Sequence, residues 1–123
     1  MTRRVLAIDD SRHATKLIAL AAGSLGYCSR QCNDPTQALT AFVEFQPDVV
    51  VLDMCMPEKD GLEVLEELLL TATSARIIVT TGQTPGYLRV AEGMAEFHEH
   101  RNIAILPKPF ARERLLKELS HSE

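Results

Sequence analysis

Four short apolar runs recur along the chain: Val5-Leu6-Ala7-Ile8, Val49-Val50-Val51-Leu52, Ile77-Ile78-Val79 and Ile103-Ala104-Ile105-Leu106. Each is rich in β-branched residues and continuous rather than alternating, which predicts strands covered on both faces, as in a parallel sheet. A fifth segment, Tyr27 to Asn33, alternates Cys28, Arg30 and Cys32 with Tyr27, Ser29 and Gln31, and its polarity suits an edge strand. Helical patterns fill the gaps. Ser11 is the expected N-cap of a helix that carries Leu17, Leu20 and Ala21 and stops near Gly23 or Gly26. Asp34-Pro35 predicts a capped start with proline at the first helical position, then Ala38, Phe42 and Phe45 on one face, closed by Pro47. Asp60-Gly61 opens a third helix with Leu62, Leu65 and Leu69 in one stripe. Pro85 to about His100 gives a fourth, weakened by Gly86 and Gly93, and Phe110 to Leu119 gives a fifth with Leu115, Leu116 and Leu119 inward.

These elements make five β-α units with no linker, repeat or low-complexity stretch. Such alternation predicts an α/β fold: one open, doubly wound parallel sheet with right-handed crossovers and helices on both faces. A sheet of this kind places its functional crevice beyond the carboxyl ends of its strands, beside the topological switch point.

Composition narrows the picture. The chain has 123 residues, 46% hydrophobic and 24% charged, which suits one ordered domain with a core of its own. No apolar run approaches the roughly 20 residues of a membrane span, and Met1 to Arg4 lead into too short an apolar stretch for a secretory signal. Net charge is −4, with 13 basic and 17 acidic residues and no basic stripe, which argues against a nucleic-acid partner. Cys28, Cys32 and Cys55 are odd in number and lack metal-type spacing, which points away from a disulfide framework and toward a reducing cytoplasm.

The residues after each strand are chemically uneven. The first strand ends in Asp9-Asp10, the third in Asp53, the fourth in Thr80-Thr81-Gly82 and the fifth in Pro107-Lys108-Pro109. Each has an ordinary reading as a turn, cap or solvated loop residue. Together they would bring three carboxylates, a hydroxyl beside glycine and a lysine to one rim. Clustered carboxylates repel unless a cation joins them, and magnesium takes such oxygen donors. A metal, an ammonium and a hydroxyl in one pocket make a receptor for a phosphoryl group.

With these residues in view, the chain resembles a receiver domain of a two-component response regulator, of the chemotaxis-regulator type. The resemblance rests on Ile8-Asp9-Asp10-Ser11, on Asp53-Met54-Cys55-Met56-Pro57-Glu58-Lys59-Asp60-Gly61, on Thr81-Gly82 and on Lys108-Pro109-Phe110. Taken in order, these segments cover essentially the whole chain, so residues 1–123 are expected to form one receiver domain. The resemblance implies a flavodoxin-like sheet in the order 2-1-3-4-5. It makes Asp53 the acceptor of phosphate from a histidine kinase or phosphotransfer protein. It gives Mg2+ to Asp10, Asp53 and the backbone carbonyl of Cys55, with Asp9 acting mainly through water. Thr81 and Lys108 would hold phosphoryl oxygens, and the backbone N–H groups of Cys55 and Gly82 would complete the cradle. Glycine at position 82 would leave room for phosphate, while Pro57 and Gly61 would shape the acceptor loop, Gly61 by dihedrals that other residues avoid.

Three departures carry expectations of their own. Ile105 stands where receivers often have an aromatic residue, so a signal would run through the Thr81 loop and backbone. Gln83-Thr84-Pro85-Gly86 and Gly93 predict a fourth helix that is short, displaced or mobile. Cys55 and Gln83 occupy the positions that tune hydrolysis, which implies a moderate acyl-phosphate lifetime. His98 and His100, two apart, make a poor metal pair, and Cys28 and Cys32 read as packing residues.

The leading function is a regulatory phosphoacceptor that signals to a partner or an attached effector, with no turnover of an external substrate and no membrane contact. No DNA-binding or catalytic effector is visible, so the chain reads either as a stand-alone shuttle or as the receiver part of a longer product. A pseudo-receiver that is never phosphorylated is the serious alternative. A haloacid-dehalogenase-like phosphohydrolase needs an acid two residues after its nucleophile, where Cys55 and Ser11 stand instead. A flavodoxin needs its phosphate loop after the first strand, where this chain has two aspartates.

Overall fold

The computed structural model describes residues 2–56, 59–82 and 85–121. The strands are β1 (Arg4–Ile8), β2 (Cys28–Cys32), β3 (Val49–Asp53), β4 (Arg76–Thr81) and β5 (Ile103–Pro107). They form one parallel sheet in the order β2-β1-β3-β4-β5, the flavodoxin-like arrangement. The helices are α1 (Arg12–Ser24), α2 (Ala38–Phe45), α3 (Gly61–Leu70), α4 (Pro85–Phe97) and α5 (Arg112–Ser120).

The sheet divides two cores. Leu6, Ile8, Val50, Leu52, Ile77 and Val79 face α2, α3 and α4, while Val5, Ala7, Val49, Val51 and Ile78 face α1 and α5. Alternate residues of one strand thus enter opposite cores, which explains why β1 and β3 are continuously apolar. β2 lies at the edge and is mostly exposed. β1 and β3 are central, and the chain reverses its winding direction there, so Asp9, just after β1, and Asp53, the last residue of β3, stand on neighbouring strands with Ile8 paired to Leu52.

Local signals act largely as predicted. Ser11 caps α1 by accepting from the Ala14 N–H at 3.1 Å, and Asp60 caps α3 by accepting from the Leu62 N–H at 2.8 Å. Asp34-Pro35 starts a 3-10 turn, Pro35–Gln37, and the α-helix begins only after it.

Several expectations need correction. α4 is not short: it runs thirteen residues, as long as α1, and ends at Phe97 rather than His100. Buried Ala91 and Ala95 seat it on the sheet while Gly93 faces solvent, so that glycine leaves no gap in the packing. α5 begins at Arg112, two residues after Phe110. Leu17 and Leu20 are 52% and 61% exposed, because α1 buries Thr15, Ile18, Ala21 and Ala22 instead. Cys32 is buried, but Cys28 is exposed and is no packing residue. Gly61 needs no special dihedral: a Cβ there would lie 2.4 Å from Met54 Cα and 2.6 Å from the Asp53 carbonyl oxygen, so space is the constraint. Pro57, Gln83 and Thr84 lie outside the described residues.

Candidate functional site

The carboxyl ends of β1, β3, β4 and β5 meet at one rim. Asp9 and Asp53 are 2% and 5% exposed, and Asp10 is exposed. One carboxylate oxygen from each of Asp9, Asp10 and Asp53 lies within 4.8 Å of the others. Lys108 reaches across from the fifth strand, its Nζ 3.1 Å from Asp9 Oδ2 and 3.6 Å from Asp53 Oδ1.

Backbone bonds fix the surrounding loops. The Met54 N–H donates to the Thr80 carbonyl, and the Lys108 N–H donates to the Thr81 carbonyl, both at 2.9 Å. Asp9 is held from two sides: its Oδ1 accepts from the Ser11 N–H at 2.9 Å, and its carbonyl accepts from Asn33 Nδ2 at 2.9 Å. Asn33 also donates to Thr15 Oγ1 at 2.9 Å, which ties α1 to the end of β2.

The electrostatics are unbalanced. Burial pushes the Asp53 carboxyl up, the Asp9 charge adds to this, and Lys108 and the Cys55 N–H pull it back only in part, leaving a pKa of about 6. Burial alone would lower the Lys108 pKa, but the Asp53 and Asp9 charges outweigh it, and the ammonium is held more firmly than usual. A buried carboxylate that does not ionise easily beside two others is a site short of positive charge. Its donors are hard oxygens, the set that suits Mg2+ rather than a softer metal.

Thr81 is buried, with its Oγ1 3.3 Å from Cys55 Sγ. Gly82 borders the pocket, where a Cβ would meet only Lys108 Cβ at 3.5 Å, so alanine fits there as well. Asp9, Gly82 and Lys108 open into a groove of about 500 Å3 that passes His13 and Leu17 of α1 and Phe110. Ile105, in the place of the missing aromatic, is partly buried against the α4-side core. His98 pairs with Glu66 of α3 rather than with His100.

The structure therefore gathers Asp9, Asp10, Asp53 and Lys108 at one point and sets Thr81, Cys55 and Gly82 beside it. Sequence reasoning missed Asn33, whose side chain braces the Asp9 backbone, and Tyr87, whose hydroxyl donates to Asp60 Oδ2 at 3.2 Å. An asparagine directly after the edge strand was the only available signal for the first. The second had none, because it depends on how α4 packs.

Fold and rim together define a class: flavodoxin-like α/β domains with an acidic pocket at the carboxyl ends of the central strands. Residues 5–120 match the model of the response regulator receiver domain, and the chain belongs to that family, whose members serve two-component signalling. It is 37% identical over 113 residues to response regulator MprA of Mycobacterium leprae, covering 92% of this chain and 47% of that protein. The chain thus spans about half the length of the curated relatives it matches. Among solved structures, chemotaxis protein CheY4 of Vibrio cholerae superposes with a TM-score of 0.81 at 25% identity, covering 97% of each chain. A response regulator of Colwellia psychrerythraea superposes with a TM-score of 0.81 at 27% identity, covering 98% of this chain and 95% of that one. A receiver domain is not an enzyme in the usual sense.

Proposed function

We propose that this receiver domain is an active phosphoacceptor and that Asp53 takes the phosphoryl group. The observation that carries the reading is the Lys108 ammonium lying between Asp9 and Asp53 while the third carboxylate stays within reach. The Asp53 oxygen attacks phosphorus, the N–P bond of a donor phosphohistidine breaks, and the imidazole nitrogen leaves with the bonding pair and takes up a proton. Such a transfer depends on alignment and charge neutralisation more than on covalent assistance.

Asp9, Asp10, Asp53 and the backbone carbonyl of Cys55 would hold Mg2+, whose charge would draw the phosphoryl oxygens toward the rim. Lys108 pairs with one phosphoryl oxygen and the Thr81 hydroxyl donates to another. The N–H groups of Cys55 and Gly82 complete the cradle. Cys55 and Gln83 tune loss of the phosphoryl group, so the domain assists both its loading and its own resetting.

The donor is a histidine kinase or phosphotransfer protein in the cytoplasm. The groove beside the rim and the exposed Leu17 and Leu20 on α1 support docking of a protein partner there. Output goes to a downstream protein or an attached effector, as the greater length of the MprA relatives suggests. Among the described residues, no helix is long and apolar enough to cross a membrane.

Incubation with Mg2+ and acetyl phosphate tests the reading by intact mass. The wild-type chain gains one phosphoryl group and Asp53→Asn gains none. An unmodified wild type that also ignores beryllofluoride would be a pseudo-receiver.

A further inference from the structure

One carboxylate joins α4 to the backbone of the acceptor loop. Asp60 Oδ1 accepts from the Leu62 N–H and so caps α3, while Oδ2 accepts from the Tyr87 hydroxyl on α4 at 3.2 Å. The start of α3 is fixed to the residues that follow the sheet: the Gly61 N–H donates to the Met54 carbonyl at 3.1 Å, and no Cβ fits between Gly61 and the backbone of Asp53 and Met54. Movement of that backbone therefore carries Asp60 with it. Beside the Tyr87 ring lies a hollow of about 340 Å3 lined by Met54, Cys55, Met56 and Asp60. At its other end α4 is held separately, by His98 Nε2 at 3.0 Å from Glu66 Oε2 of α3.

Resting on the reading of Asp53 as phosphoacceptor, we propose that Tyr87 is a positioning residue for the acceptor loop. Its bond to Asp60 holds the loop and the near end of α4 in the unloaded arrangement, and loading of Asp53 breaks that bond. A phosphoryl group on Asp53 adds bulk and negative charge at the end of β3, beside the Met54 backbone to which the start of α3 is fixed. The contact that yields is the Tyr87 hydroxyl bond, because 3.2 Å is already long for an O–H···O pair and the ring has space to turn into. With its far end pinned by His98 and Glu66, α4 pivots rather than detaches. The linkage is reciprocal: a partner that moves the near end of α4 tightens binding of a phosphoryl mimic at Asp53 by the factor by which the mimic tightens binding of that partner.

The chain has two tyrosines, Tyr27 and Tyr87, and no tryptophan. Labelling the full chain with 3-fluorotyrosine therefore gives two 19F resonances, and Tyr87→Phe identifies which is which. Tyr27, whose hydroxyl donates to the Leu119 carbonyl, serves as the internal control. Addition of Mg2+ and beryllofluoride shifts the Tyr87 resonance and leaves that of Tyr27 in place. Tyr87→Phe keeps the ring, loses the bond and binds the mimic about three- to tenfold more tightly. Asp60→Asn preserves the helix cap and falls between the two, and it carries the comparison if Tyr87→Phe loses its folded spectrum. A chain that takes up one phosphoryl group with the Tyr87 resonance unmoved, or variants that bind the mimic as the wild type does, would overturn the positioning role and leave the phosphoacceptor reading intact. Absence of both loading and mimic binding in the wild type would overturn that reading and this role with it.

Discussion

The two ends of the sheet both bury charge, and they resolve it in opposite ways. At the amino end, Arg76 opens β4 and is 6% exposed. Its guanidinium donates to the Glu118 carboxylate and carbonyl on α5 and to Asn102 Oδ1 at 2.9 Å, so each of its three nitrogens has an acceptor and the charge has a carboxylate partner. At the carboxyl end, Asp9 and Asp53 share the Lys108 ammonium while Asp10 lies close by without an ion pair among the described residues, and Asp53 is correspondingly hard to ionise. A buried cluster whose charges are matched fastens one helix to the sheet. One whose charges are unmatched stays receptive to an added cation. A surface hollow of about 710 Å3 borders Arg76 and Asn102 and exceeds the groove of about 500 Å3 at the rim, so hollow size does not mark the chemistry.

The largest effect is expected where the charges are matched. Arg76→Ala leaves the Glu118 carboxylate without its buried partner and lowers stability by about 3 kcal/mol in urea denaturation. A loss below about 1 kcal/mol would make the pair an ordinary surface bridge and end the contrast between the two ends. A smaller effect separates two glycines at the rim. Gly61→Ala forces a Cβ into the Met54 and Asp53 backbone, costs about 1–3 kcal/mol and slows phosphorylation from acetyl phosphate. Gly82→Ala meets only Lys108 Cβ at ordinary contact distance and changes stability by less than about 0.5 kcal/mol. Equal effects at the two positions would mean that the acceptor loop is not fixed by close packing.

Much of this was legible in the sequence, for definite reasons. The continuous apolar runs of β1 and β3 imply strands with two covered faces, and a parallel sheet then directs attention to Asp9, Asp53, Thr81 and Lys108. What stayed hidden depends on tertiary packing. Leu17 and Leu20 share the helical period of α1 with Ile18 and Ala21, and periodicity alone does not say which stripe meets the sheet. The glycines of α4 suggested a weak helix, yet buried Ala91 and Ala95 hold it at full length, a case of packing overriding propensity. Gly61 stands out in the sequence as a turn glycine, but its close approach to Met54 shows only in three dimensions, and the same is true of the Tyr87–Asp60 bond.

The rim is short of positive charge, and denaturation of the wild type and Asp53→Asn across pH, with and without Mg2+, tests this most directly. The folded Asp53 pKa of about 6 lies above its ordinary 3.8, so the folded chain binds the extra proton and metal-free stability falls as pH rises through that window. Asp53→Asn removes this loss. Without metal the variant is more stable than the wild type at pH 8 by roughly 2–3 kcal/mol, and the gap closes near pH 4. Mg2+ at about ten times its dissociation constant raises wild-type stability at pH 8 by about 1.4 kcal/mol and raises that of the variant by less. Equal stabilities at pH 8 without metal, together with no response of the wild type to Mg2+, would contradict the claim.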